Sequence, residues 1–139
     1  MAFKSGNIDF KSSGVLNSLV LDYMEKKPQL RPFYSHFPDT DGFRDVLNAE
    51  PYKAMDRASL AEIVKSQCRL VANCSGQSLA NAEKLGQKTT FTITTGHQLC
   101  LFTGPLYFIY KILSAVNLAE ELKNQFPEYD FVPVYWMAS

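Results

Sequence analysis

The sequence predicts an α/β fold in which a mainly helical segment, residues 1–88, precedes a parallel β–loop–α–β unit over residues 89–139. Three observations carry that prediction. FTITT, Phe91–Thr95, is a short run of β-branched and aromatic residues and reads as a strand. FVPVYWM, Phe131–Met137, reads as a second strand; its apolar character on both faces is that of a buried parallel strand. Between them, Gly104-Pro105 opens the longest apolar stretch of the chain, a helix from Pro105 to about Phe126. That spacing is close to the usual length of a right-handed parallel crossover.

The elements upstream follow from periodicity and punctuation. Leu16, Leu19, Val20, Tyr23 and Met24 recur at helical spacing, so a helix is expected over Val15–Lys26, ended by Pro28 and Pro32. LRPFYSHFPDTDG, rich in aromatics and prolines, reads as an extended connector, with His36 a packing residue among Phe33, Tyr34 and Phe37. Asp41 is the expected N-cap of a short helix over Gly42–Ala49, closed by Pro51. Leu60, Ile63, Val64, Leu70 and Val71 mark an amphipathic helix over Ala58–Ala72. A further short helix, Gln77–Leu85, ends at Gly86. Pro133 inside the second strand predicts an irregular point or a sheet edge.

Bulk properties exclude several function classes. Lys plus Arg and Asp plus Glu number 14 each, so the chain lacks the broad positive footprint of a nucleic-acid binder. Cys68, Cys74 and Cys100 form no CxxC pair and no Cys/His cluster. Neither a disulfide framework nor a metal site is expected, and a reducing cytoplasm fits. The N-terminus, MAFKSGNIDF, has no apolar core of a signal peptide. The run Leu106–Leu122 contains Lys111, Asn117, Glu120 and Glu121 and fails as a membrane span.

The segment between the strand and the helix, GHQLCLFTGP, is where chemistry is expected. Ligands of open α/β sheets bind beyond the carboxyl ends of the strands, which is where Thr95 and this segment lie. Gly96 allows positive φ or a close backbone approach. Thr103 or Gly104 caps the helix, and Pro105 suits its first position. The N–H groups of Leu106 and Tyr107 then point into the cleft, a place for phosphate or carboxylate. No GxGxxG or GK[ST] is present, so spacing alone leaves an anion site and a plain strand–helix turn both open. Lys111, on the second turn, reaches either a phosphate or solvent, solvent being favoured. Taken alone, His97 reads as hydrogen-bonded to a neighbouring carbonyl and Cys100 as buried filler rather than a nucleophile. Trp136 and Ser139 end the second strand at the same edge, and Trp136 either stacks on a ligand or packs.

TTGHQLCLFTGPLYFIYKILSAVNLAEEL, from Thr94, followed by FVPVYWMAS, resembles the bacillithiol biosynthesis cysteine-adding enzyme family. There a TGQQ- or TGHQ-like strand end precedes a TGPLYTIYK-like helix start and a PV[FY]WMAS-like strand end. LVLDYMEKKPQLRPFY also resembles the family's N-terminal segment, so the likeness covers most of the chain. It implies the N-terminal part of a Rossmann-like, nucleotidyltransferase-like core, in a family whose members are several times longer and dimerise through a coiled coil missing here. It implies a reaction as well, the last step of bacillithiol synthesis, in which the cysteine carboxyl is joined to the amine of glucosaminyl-malate. Amide formation from a free carboxylate is uphill in water, so ATP/ADP is the expected cofactor. Gly96, His97 and Gln98 match the family loop, and Thr103, Gly104 and Pro105 the helix start. His97 is the candidate catalytic residue; because some relatives carry glutamine there, the implied role is a hydrogen bond to substrate or phosphate. A non-catalytic nucleotide- or phosphate-binding module is the alternative. The chain by itself is expected to be an N-terminal piece without turnover, its exposed strand edges open to association.

Overall fold

The computed structural model describes residues 5–49, 55–100 and 104–138. They form two compact units, Met1–Lys53 and Ala54–Ser139.

The first unit is helical. Asp9 caps α1 (Phe10–Ser13) and Asn17 caps α2 (Ser18–Met24), each side chain accepting from backbone N–H groups of the first turn. Pro28–Phe33 is a 3-10 helix, so the expected extended connector is helical in its first part. Pro28 sits at the helix start, where its fixed φ fits, and the Arg31 guanidinium donates to the carbonyls of Tyr34 and Ser35 at 2.6 and 2.9 Å. α3 (Thr40–Asn48) is capped by Asp39 rather than Asp41. Asp39 accepts from the Gly42 N–H at 2.9 Å and pairs with the Lys26 ammonium at 2.6 Å, and those bonds hold its carboxyl below the usual range. Gly42 is required here because a Cβ would collide with the Phe37 carbonyl. Tyr23 packs against Tyr34 and Phe37 at centroid distances of 5.2 and 5.0 Å. His36, expected among those rings, is exposed and lies 3.6 Å from Asp45 instead.

The second unit is layered. α4 (Arg57–Leu70) and α5 (Gly76–Lys84) are capped by Asp56 and Ser75. β1 (Thr90–Gln98) and β2 (Asp130–Ala138) pair in parallel, joined by α6 (Leu106–Gln125). The expected α/β crossover is present, with both strands longer than their apolar runs because pairing continues from Thr90–Asp130 to Gln98–Ala138. Side chains alternate across a strand. Val132, with Val134 beside it, packs with Ala61, Val64 and Leu85 under α4 and α5. The opposite face carries Phe91, stacked on Phe131 at 6.3 Å, and Tyr135, edge-on to Phe108 of α6 at 5.2 Å. α6 buries Ala115, Ala119 and Leu122; the small alanines let its axis come close to the strands. Pro133 is accommodated because β2 has one neighbouring strand among the described residues.

Asp130 fastens the amino end of the sheet. It lies 3.2 Å from Lys84 of α5 and 3.4 Å from Lys123 of α6, while Lys123 also donates to the carbonyls of Pro127 and Tyr129 at 2.9 Å. Desolvation raises its carboxyl, but the hydrogen bonds and charges of the two lysines outweigh it and leave the group below its ordinary value. A depressed folded-state value means stability present above the unfolded value, about pH 4, and lost as pH falls through the folded value. Asp130→Asn is therefore expected to lower the urea midpoint at pH 7 and to flatten its acid-side dependence. Urea midpoints from pH 7 to pH 3 check this.

Candidate functional site

β1 does not end at Thr95. It continues through Gly96, His97 and Gln98, which pair with Trp136, Met137 and Ala138. Gly96 therefore belongs to the strand rather than to a loop, and its φ is not positive. Its role is a close approach between strands: a Cβ would stand 2.5 Å from the Trp136 carbonyl oxygen and 3.0 Å from the Trp136 Cβ. The left-handed glycine is Gly104, at φ 63°, where a Cβ would also meet the Cys100 Sγ at 2.8 Å. Pro105 is the N-cap of α6 rather than its first residue, and no side chain caps that end. Thr103 and Ser139 lie outside the described residues.

Alternation splits the expected residues between two faces. On the α6 side, His97 Nε2 bonds to the Tyr107 hydroxyl, and the two rings lie 5.2 Å apart. His97 Nδ1 lies 2.8 Å from the Gln98 carbonyl oxygen and 3.0 Å from Cys100 Sγ. Phe108 stands edge-on to His97 at 6.0 Å and links it to Tyr135. Burial, with a smaller contribution from the charge of Cys100, pushes the Tyr135 phenol up. Lys111 does not release its charge to solvent: the ammonium donates to the Gly96 carbonyl and lies 5.9 Å from the Tyr107 ring centre. Cys100 is half-buried, with its sulfur against the His97 imidazole. Its signal in the sequence was the spacing His97-x-x-Cys100, which becomes a contact just beyond the end of β1.

Thr94, Thr95, Gly96, His97, Gln98, Trp136 and Ala138 line a shallow, open depression of about 460 Å³ at the carboxyl ends of both strands. Trp136 is 66% exposed there, free to stack on a flat ligand. Thr95 is half-buried, and Leu106 is exposed at the start of α6. His97 thus belongs both to the hydrogen-bonded group under α6 and to the lining of this depression. Among the described residues no group of three or more His, Cys, Asp or Glu side chains is placed to hold a metal ion, and no helix is long and apolar enough to cross a membrane.

Comparison with known families places this parallel crossover. The family model described as "Bacillithiol biosynthesis BshC, N-terminal Rossmann-like domain" matches residues 3–139. The chain belongs to the BshC family. A Flavobacterium johnsoniae protein named "Putative cysteine ligase BshC" is 43% identical over 134 residues, covering 95% of this chain and 25% of the relative. The Cytophaga hutchinsonii protein of the same name is 40% identical over 99% of this chain and 26% of its own length. The Bacillus cereus one is 32% identical over 86% of this chain and 22% of its own. The chain thus spans about a quarter of the length of these BshC relatives. Within the BshC N-terminal Rossmann-like domain, the stretch from Thr94 to Lys111 is the strand end and helix start of the parallel crossover.

Proposed function

We propose that this chain forms part of a cytoplasmic ligase that joins the carboxyl group of cysteine to the amine of glucosaminyl-malate, completing bacillithiol. Membership of the BshC family carries the reading. It gains support from the polar groups gathered where α/β sheets take their ligands. The new bond is a carbon–nitrogen amide, and the expelled oxygen requires activation, which ATP supplies when bound.

Trp136, open beside the depression, suits a flat base. Lys111 spends one N–H on the Gly96 carbonyl and keeps two donors for a phosphate. The uncapped start of α6 is another place for an anionic group, whether phosphate or the malate carboxylates. His97, fixed between Tyr107 and the Gln98 carbonyl, is placed to hold a proton or donate a hydrogen bond at that edge. The parts of the BshC relatives beyond the matched quarter complete the cleft and, through a coiled coil, a homodimer.

The test uses the polypeptide extended to the length of its relatives, incubated with glucosaminyl-malate, cysteine and ATP. The condensed thiol is expected by mass spectrometry. Gly104→Leu, which forces a side chain into the Cys100 sulfur and a left-handed φ, is expected to cut the rate on the order of 100-fold by displacing the helix start. Substrate binding without any product identifies a non-catalytic binding module instead.

A further inference from the structure

The outward side of α6 changes character along its length. Leu106, Ile109 and Tyr110, in its first turns, are each between 41 and 65% exposed. The exposed positions that continue the same stripe, Asn117, Glu120, Glu121 and Asn124, are all polar. Residues three and four apart share one side of a helix. Water over the whole stripe would not favour large apolar side chains in one half and polar ones in the other. Leu113 marks the change, since Asn117 follows it one turn on. β2 extends the apolar half. Met137 is 60% exposed and stands two residues past Tyr135, so it faces the α6 side, where Tyr135 packs on Phe108 at 5.2 Å. Its partner in β1, His97, bonds to Tyr107 on that side, which places Met137 beside the start of α6. The amino end of the crossover is polar instead, with Lys84 and Lys123 on Asp130. Single exposed apolar residues are ordinary, but large ones gathered at one end mark a contact surface.

We propose that Leu106, Ile109, Tyr110 and Met137 form a docking surface for the polypeptide that follows the N-terminal Rossmann-like domain in the BshC family. The matched domain is the N-terminal one, and the chain covers 25% of the Flavobacterium johnsoniae relative and 26% of the Cytophaga hutchinsonii one, so most of each relative follows it. β2 runs toward this edge, and the chain that continues from it in a relative emerges next to Met137 and the first turn of α6. A segment tethered there closes a short loop and meets the surface at high effective concentration, which favours it over a second copy of the molecule. The surface states the chemistry of its cover: apolar side chains against Leu106, Ile109 and Met137, and an acceptor for the Tyr110 hydroxyl, as a buried phenol requires. Leu113, at the margin beside Asn117, stays open to water. The proposal rests on membership of the family and not on ligase activity, which its test does not read.

The polypeptide extended to the length of its relatives is footprinted with hydroxyl radicals, native and unfolded in guanidinium, and oxidation is read residue by residue by mass spectrometry. Tyr110 and Met137 are expected to react about tenfold slower in the native state, and Leu113 within about twofold of its unfolded rate. The cover is then identified with p-benzoylphenylalanine in place of Tyr110. On illumination it is expected to cross-link to a peptide downstream of residue 139 within one molecule, with the same yield after dilution of about 100-fold. Native rates at Tyr110 and Met137 close to the unfolded ones would overturn the proposal. So would cross-links confined to residues 1–139. Cross-linked species of twice the mass, or protection lost on dilution, would overturn it in favour of a second copy. The footprint needs no substitution, and the same probe at Leu106 supplies the cross-link if the first variant does not fold.

Discussion

Gly96→Val is expected to be the most damaging single change at the candidate site. The valine Cβ would be built 2.5 Å from the Trp136 carbonyl oxygen, a backbone atom of the paired strand that no rotamer can move aside. β1 and β2 must part at Gly96–Trp136, and the pairs beyond, His97–Met137 and Gln98–Ala138, go with it. The expected cost is about 2–3 kcal/mol, typical of forcing volume into packed structure. The functional loss is larger than the stability loss, because that opening also releases the Gly96 carbonyl that holds Lys111 and moves His97 off Tyr107. His97→Gln keeps the strand and substitutes one hydrogen-bonding side chain for another, so its steady-state rate should fall less. Guanidinium unfolding and rates for both variants, in the complete polypeptide, check the order. A His97→Gln effect exceeding that of Gly96→Val would show that the ring's acid–base chemistry, and not the strand approach, dominates at this edge.

Leu122→Ala is expected to give the largest loss of stability without touching the site. Leu122 is 1% exposed, near the end of α6, one turn after buried Ala119 and one turn before buried Phe126. Removing its branched end leaves a cavity between helix and sheet, and such truncations cost about 3 kcal/mol when the surroundings cannot collapse. Alanines at 115 and 119 already bring the helix axis close, so little slack remains to fill the gap. Leu113→Ala is the control: that side chain is 51% exposed, and its loss should fall within about 0.5 kcal/mol. Denaturant midpoints of the two variants distinguish a core position from a surface one. A Leu122→Ala midpoint within that same margin would mean that α6 is not anchored through its last turns.

The parallel crossover was legible because each of its parts has a local cause. Phe91–Thr95 and Phe131–Met137 are β-branched or aromatic, and the helix between them has Pro105 before it and a continuous apolar face after it. Order along the chain then leaves a right-handed crossover as the natural connection. The motif residues were legible for a different reason: TGHQ, TGPLY and PVYWMAS are contiguous strings, so the resemblance to the BshC family needs no tertiary information. The errors fell where a residue's partner is distant in sequence. Asp39 rather than Asp41 caps α3 because Asp39 also reaches Lys26. Gly96 was read as a loop glycine because its clash is with Trp136, forty positions away.

The sequence by itself thus determined the α/β class, the crossover, the family, and the stretch that ends one strand and starts the helix, since propensity, periodicity and motif are local along the chain. Tertiary structure decided what the stretch does with its residues. Strand alternation sends His97 and Trp136 to opposite faces of the sheet. The packing of α6 on β1 turns Lys111 inward to a carbonyl and closes Tyr107 onto His97. The backbone just beyond β1 brings the Cys100 sulfur to an imidazole. None of these contacts has a signature in residue type alone, because each depends on two chain segments being held a few ångströms apart by burial elsewhere, at Leu122, Val132 and Ala119.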